Sequence, residues 1–135
     1  MSPVVVPVQF VGDPPVLPQY MTAGASGMDV RAAETVEMAS GARAAVRTGL
    51  AVAVPRGWEI QIRPRSGLAL RHGVTVVNAP GTIDSDYRGE IGILLVNLGR
   101  DSYTVERGDR IAQMVLCPVG RVEWAVAVDV TRTDR

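Results

Sequence analysis

A chain of 135 residues with 14 basic and 14 acidic side chains carries no formal net charge, and neither sign is gathered into a block. That distribution argues against a long duplex nucleic-acid footprint and against a polybasic membrane surface, so the expected partner is small. The length suits one domain over 1–135, and at this size roughly 68–70% of the unfolded surface is buried on folding, so no disulfide staple is needed.

The amino terminus, Met1-Ser2-Pro3-Val4-Val5-Val6-Pro7-Val8, lacks a basic region followed by a long apolar stretch and does not read as a signal peptide. No window approaches the roughly 20 apolar residues of a membrane span. A soluble, cytoplasmic protein is the expectation. Short β-branched segments then alternate with Gly, Pro and Asp punctuation, and no sustained helical period is found, which predicts an all-β domain. In chain order the predicted strands are Val4 to Val8, Met28 to Ala32, Thr35 to Met38, Ala42 to Ala53, Trp58 to Arg63, Val74 to Val76, Ile91 to Asn97, Tyr103 to Val105, Arg110 to Val119 and Val122 to Val128.

One short helical stretch is predicted after Ser66, where Gly67-Leu68-Ala69-Leu70-Arg71-His72 precedes Gly73. Ala32-Ala33-Glu34 offers a weaker second turn. Pro18 and Pro118 read as loop corners. Cys117, the single cysteine, sits in an apolar run and reads as a small buried hydrophobe, since a nucleophile needs a base and an electropositive setting.

The run Gly81-Thr82-Ile83-Asp84-Ser85-Asp86-Tyr87-Arg88-Gly89-Glu90 is the most informative stretch. It reads as the turn of a hairpin flanked by Val74 to Asn78 and Ile91 to Asn97. A simple reversal needs only two turn residues, often Asn-Gly or Asp-Gly, so a turn this long that carries two carboxylates and an aromatic ring is built to touch something. Three further polar stretches stand at strand ends. Ala23 to Asp29 leads a carboxylate into a strand, or is a tight turn in which Asp29 bonds backbone groups. Arg63 to Ala69 joins a guanidinium, a hydroxyl and backbone N–H groups, which suit an anion, although Ser66 could simply cap the turn. Gly108 to Gln113 is either a further donor set or a type I turn with Gln113 facing solvent. Brought together, the donors Arg65, Ser66 and Gln113, the acceptors Asp29 and Asp84, and the flat ring of Tyr87 describe a place for a phosphorylated ring compound.

In order and wording these stretches resemble the trimeric all-β deoxyuridine triphosphatases (dUTPases), over about Pro18 to Arg135. Motif one resembles Gly24 to Val30, motif two Pro64 to Ala69, motif three Asn78 to Glu90 and motif four Gly108 to Gln113. The resemblance implies a single distorted jelly-roll or β-barrel domain of the dUTPase type with one short helix. It also implies a homotrimer with sites at subunit interfaces, and hydrolysis of dUTP to dUMP and pyrophosphate by water attack at the α-phosphorus. By the same likeness Asp84 is the general base and Tyr87 stacks on the deoxyribose. Asn78 with the backbone at Gly81 and Ile83 holds uracil, while Arg65, Ser66, Gly67 and Gln113 contact phosphates. Mg²⁺ is chelated by the triphosphate, with Asp29 meeting it through water.

Two rival readings on the same fold are a dCTP deaminase and a non-catalytic nucleotide sensor or protein-binding relative. Asp86 and Arg110 are expected to be structural, as a salt bridge fixing the hairpin. His72 reads as the exposed end of a turn, and Trp58 and Trp124 as packing residues. Met28 stands where many members carry tyrosine. The family closes its site with a glycine-rich arm, its fifth motif, which begins with an arginine. Here Thr133-Asp134-Arg135 resembles the approach to it, so Arg135 is the expected γ-phosphate contact and the arm is expected to be absent beyond it. The resemblance further implies that Val122 to Val128 is a strand passed to a neighbouring subunit.

Overall fold

Alternation of side chains decides most of this architecture. In a computed structural model that describes residues 2–135, the strands are β1 Val8–Phe10, β2 Met28–Arg31, β3 Val36–Met38, β4 Arg43–Val52, β5 Trp58–Arg63, β6 Val74–Val76, β7 Gly81–Ile83, β8 Glu90–Asn97, β9 Tyr103–Val105 and β10 Arg110–Pro118. The helix α1, Ser66–His72, lies between β5 and β6. Two four-stranded sheets run β1-β4-β8-β6 and β2-β10-β5-β7, with a separate β3-β9 pair. All the pairings are antiparallel. This is the all-β fold with one short helix that the sequence predicts.

In β8, Ile91, Ile93 and Leu95 point inward while Gly92 and Leu94 point out, as a period of two requires of a strand with one buried face. Val30, Ile60, Ile62, Ile111 and Met114 from the other sheet join them in one buried cluster. Burying a Val, Leu or Ile side chain is worth about 1.5–3 kcal/mol, so this shared cluster is what holds the sheets together. In β4 the alternation fails after Arg47, where the register against β8 shifts between Arg47 and Ala51 and Thr48, Gly49 and Leu50 are all buried. Gly49 takes a φ of 71° there, a left-handed conformation that glycine adopts without a Cβ penalty.

The helix ends as its sequence predicts. Gly73 sits at φ 69° and donates its amide to Ala69 O at 2.9 Å, closing the last turn in the usual left-handed manner. A Cβ on Gly73 would also stand 2.5 Å from the Gly99 amide, so the loop after β8 packs directly on the helix end.

Four expectations change. The first strand lies at Val8–Phe10 and not at Val4 to Val8, because Pro3 and Pro7 offer no amide to a ladder; Pro7 contributes only its carbonyl, to the Ala53 amide at 2.9 Å. The stretch from 81 to 90 is more than a hairpin turn. Its first three residues form β7, which leaves the sheet of β6 and β8 to pair with β5, Gly81 opposite Ile62 and Ile83 opposite Ile60. The segment Val122 to Val128 forms no strand within the chain and lies exposed. Ala32 to Glu34 forms a bend and not a helical turn, since the Ala32 and Ala33 amides are drawn to Asp109 O and Arg47 O.

Asn97 is the polar pin of the core. Fully buried, it donates from Nδ2 to Met38 O at 3.0 Å and Asp101 O at 2.9 Å, and accepts from the Gly99 amide at 2.9 Å. Asn97→Leu strands those three backbone groups, and each buried unpaired polar group costs about 1–3 kcal/mol. The expected loss in urea denaturation is about 2–4 kcal/mol; a loss within experimental error would show that the loop after β8 supplies other partners.

Candidate active site

Two clusters of polar side chains form on the second sheet. The first is organised by Asp29 on β2. Its Oδ2 accepts from Arg110 Nη1 at 3.2 Å and lies 3.9 Å from Arg65 Nε. Arg65 in turn donates from Nη1 to the Arg110 carbonyl at 3.0 Å, so one carboxylate gathers the end of β5 and the start of β10. Gln113, opposite Asp29 on one side and Arg63 on the other, donates from Nε2 to Pro64 O at 3.0 Å. Gly27 makes room for it, because a Cβ there would stand 2.5 Å from Gln113 Oε1. Of the two readings open for Gln113, the solvent-facing one is set aside: the side chain is half-buried and bonded. Nor does Ser66 cap the helix. Arg65 occupies that position without a side-chain cap, which leaves the Ser66 hydroxyl without a hydrogen bond to the described residues.

Beside this cluster a cavity of about 360 Å³ is lined by Arg31, Arg65, Gly67, Arg71, Tyr103 and Arg110, among others. In the sequence Tyr103 stands only as the start of a predicted strand, with no role at a site. Its ring lies 4.7 Å from that of His72. Burial, and after it the Asp109 carboxylate, raise its pKa above the ordinary 10.0 against the opposing pull of Arg65. His72 is exposed, as expected, and also in tilted ring contact, at 44° to Tyr103.

The second cluster surrounds β7. A cavity of about 340 Å³ is lined by Asn78, Gly81, Ile83, Asp84, Tyr87 and Glu90, among others. The Asn78 amide lies over Gly81, 3.2 Å from where a Cβ would stand, and the Ala79–Pro80 peptide before it is cis. Ile83 forms a buried wall. Asp84 follows at the end of β7, exposed, and its carbonyl accepts from the Tyr87 amide at 3.1 Å. Asp84 also edges a second hollow with Arg56, Trp58, Asp86 and Arg121.

Asn78, Gly81, Ile83, Asp84 and Tyr87 thus share one cavity, while Arg65 and Gly67 share the other. Arg135 lies apart from both, at the end of an exposed segment. The expected Asp86–Arg110 salt bridge does not form. Arg110 is committed to Asp29, because β10 delivers it next to β2, whereas Asp86 edges the hollow shared with Arg56 and Arg121. Trp58 packs against the core as expected, but Trp124 is 88% exposed because its segment has no strand to lie on. Among the described residues no group of three or more His, Cys, Asp or Glu side chains is placed to hold a metal ion, and no helix is long and apolar enough to cross a membrane.

The family model for dUTPase matches residues 14–135. The chain belongs to the dUTPase family. It is 57% identical to the deoxyuridine 5'-triphosphate nucleotidohydrolase of Anaeromyxobacter sp., over 98% of this chain and 92% of that protein. With the enzyme of the same name from Desulfotalea psychrophila it shares 54%, over 88% and 81%. Among solved structures, a mutant dUTPase of Staphylococcus bacteriophage 80alpha with dUpNHpp superposes with a TM-score of 0.87 at 23% identity, over 96% of this chain and 92% of that one. A mutant dUTPase from phage phi11 of S. aureus, described as revealing coordination of a structural Mg(II) ion, gives 0.86 at 21%, over 96% and 100%. At such identities the likeness speaks for the fold. Of the Asp-Ser-Asp-Tyr-Arg-Gly wording of this dUTPase chain, Asp84 and Tyr87 fall on the cavity at β7.

The raised pKa of Tyr103 has a sign that titration can read. With the phenol held neutral in the folded chain, its contribution to stability is fully present below the ordinary value of 10.0 and is lost as pH rises through the raised one. Tyr103→Phe therefore flattens the alkaline limb of the stability curve, measured by urea melts from about pH 9 to about pH 12. Parallel limbs for the two proteins would show that the phenol ionises as freely as in water.

Proposed function

We propose that this chain hydrolyses dUTP to dUMP and pyrophosphate, by attack of water at the α-phosphorus. Support comes first from its membership of the dUTPase family over residues 14–135 and from relatives named for that activity. The observation that carries the reading is the β7 cavity, where a carboxylate, an aromatic face and an amide packed close on a buried glycine line one space.

In this reading uracil lies against Asn78 and the backbone of Gly81 and Ile83. Cytosine reverses the donor and acceptor pattern that uracil shows there, and a site built to hydrogen-bond one pattern rejects the other by about 10⁴–10⁵. Thymine differs only by a methyl, worth about 1–3 kcal/mol in a soft pocket, so its rejection falls to the stiff Pro80-Gly81 corner. Tyr87 lies flat on the deoxyribose and leaves no room for a 2′-hydroxyl. Asp84 orients the water and accepts its proton. Arg65, Ser66, Gly67 and Gln113 hold the phosphates, with Arg135 at the γ-phosphate.

Among the described residues no group of three or more His, Cys, Asp or Glu side chains is placed to cage an ion; that suits a Mg²⁺ held largely by triphosphate oxygens, since Mg²⁺ commonly takes only one or two protein carboxylates. Asp29 would hold it through water: Oδ2 is held by Arg110 and Arg65, while Oδ1 accepts no hydrogen bond among the described residues. Bound there, the ion would neutralise charge on the phosphate oxygens.

The two clusters line different cavities, which favours a site completed between subunits of a homotrimer. The exposed apolar residues Val122, Trp124, Val126 and Val128 are consistent with a strand that pairs with a neighbour. Sedimentation at micromolar concentration is expected to give a trimer, and a monomer would remove the shared site.

Incubation with dUTP and Mg²⁺ is expected to release pyrophosphate without ammonia. Asp84→Asn is expected to lower kcat by about 10²–10⁴ with the fold intact, and Tyr87→Ala to admit UTP. Full activity in the Asp84 variant would refute the assigned base.

A further inference from the structure

We infer that Gly89 and Glu90 are positioning residues that set sugar selectivity by fixing the tilt of the Tyr87 ring. The inference rests on reading Tyr87 as the platform for the deoxyribose. The Tyr87 hydroxyl donates to the Glu90 carbonyl at 2.9 Å, so the ring folds back across its own turn. A Cβ at position 89 would stand 2.6 Å from that hydroxyl and 2.9 Å from ring Cζ, closer than side-chain atoms pack. Gly89 does not have a positive φ, so its backbone makes no demand for glycine. The ring does.

Glu90 supplies the other half. Both oxygens of its carboxylate accept from Arg47 Nε, at 3.3 and 3.1 Å, and Oε2 also accepts from the Gly49 amide at 3.0 Å. Arg47 borders the register shift of β4 and Gly49 lies within it, so the carboxylate plugs the irregularity in one strand from the first residue of its neighbour. What it fixes is the peptide whose carbonyl receives the Tyr87 hydroxyl. Arg88 closes the turn from outside, donating from Nη1 to Ser85 O at 2.7 Å and Tyr87 O at 3.1 Å. The ring is thus seated on a path from the β4 bulge through Glu90, and a small tilt would open the space that a 2′-hydroxyl needs.

The test compares binding of a deoxy and a ribo substrate analogue, dUpNHpp and UpNHpp, by calorimetry in the wild type and in Gly89→Ala, Glu90→Ala and Glu90→Gln, with circular dichroism and thermal melts as the check on folding. A misplacement of about 1 Å is worth up to about a hundredfold at such a site. Gly89→Ala is therefore expected to reduce the deoxy-over-ribo preference by at least about tenfold. Glu90→Ala should move it the same way by less, and Glu90→Gln, which keeps an oxygen for the Gly49 amide, should restore most of it. A merely structural role would lower the melting temperature and leave the preference unchanged. An unchanged preference in folded Gly89→Ala overturns the inference, and so does an unchanged preference in Glu90→Ala should the alanine at 89 fail to fold. A wild type that shows no preference also overturns it. Turnover of dUTP by the wild type is measured separately: its absence would defeat the hydrolase reading while the binding ratios still decide the role of Gly89 and Glu90.

Discussion

Pairing of β5 on both of its edges is the constraint on which the rest depends. On one side Arg63 stands opposite Gln113, and on the other Ile62 stands opposite Gly81. The phosphate-type donors and the nucleoside-type cavity are therefore placed by the same short strand. A slip of one residue in either ladder would turn every side chain to the opposite face, sending Ile60 and Ile62 out of the core. Because those two are buried, the core enforces the register, and the register places the polar groups.

The Asp29 network shows how the same strand ends are held electrostatically. Its carboxylate is partly exposed, and so are both arginines, so each ion pair is worth little alone, on the order of 0–1 kcal/mol. Their value lies in orientation. Arg65 is fixed by Asp29 and by the Arg110 carbonyl together, while Arg31 and Arg71 add positive charge to the neighbouring cavity. Four guanidinium groups line that cavity against the single Asp109 carboxylate, with Asp29 beside it, which leaves a positive hollow suited to an anion, whose binding would cost little rearrangement.

Elements with alternating or β-branched runs were legible in the sequence. Trp58–Arg63, Val74–Val76 and Tyr103–Val105 coincide with the prediction to the residue, and the helix differs only by including Ser66. What escaped were features that depend on distant partners. Gly81-Thr82-Ile83 is too short and too glycine-rich to announce itself, and becomes a strand only because β5 offers it an edge. Val122 to Val128 has strong strand propensity but finds no edge within the chain. The candidate site was legible as wording, since its motifs stand in order. Its pairings were not: Arg110 selects Asp29 over Asp86 because of sheet order, and sheet order is invisible to local pattern.

Sequence and structure meet most closely in the turn after β7. A turn that presents a carboxylate and a ring to a ligand must be rigid, yet it is exposed and lies outside the ladders. Rigidity comes here from short-range bonds that close on themselves: the Tyr87 amide on Asp84 O, the Arg88 guanidinium on Ser85 O, and the Tyr87 hydroxyl on Glu90 O. Each net bond is worth only about 0.5–1.5 kcal/mol, but together they restrict a segment that would otherwise sample many conformations, and each restriction applied in advance is one that ligand binding need not supply. The length of the turn, which first marks it in the sequence, is what gives it enough donors and acceptors to hold itself still.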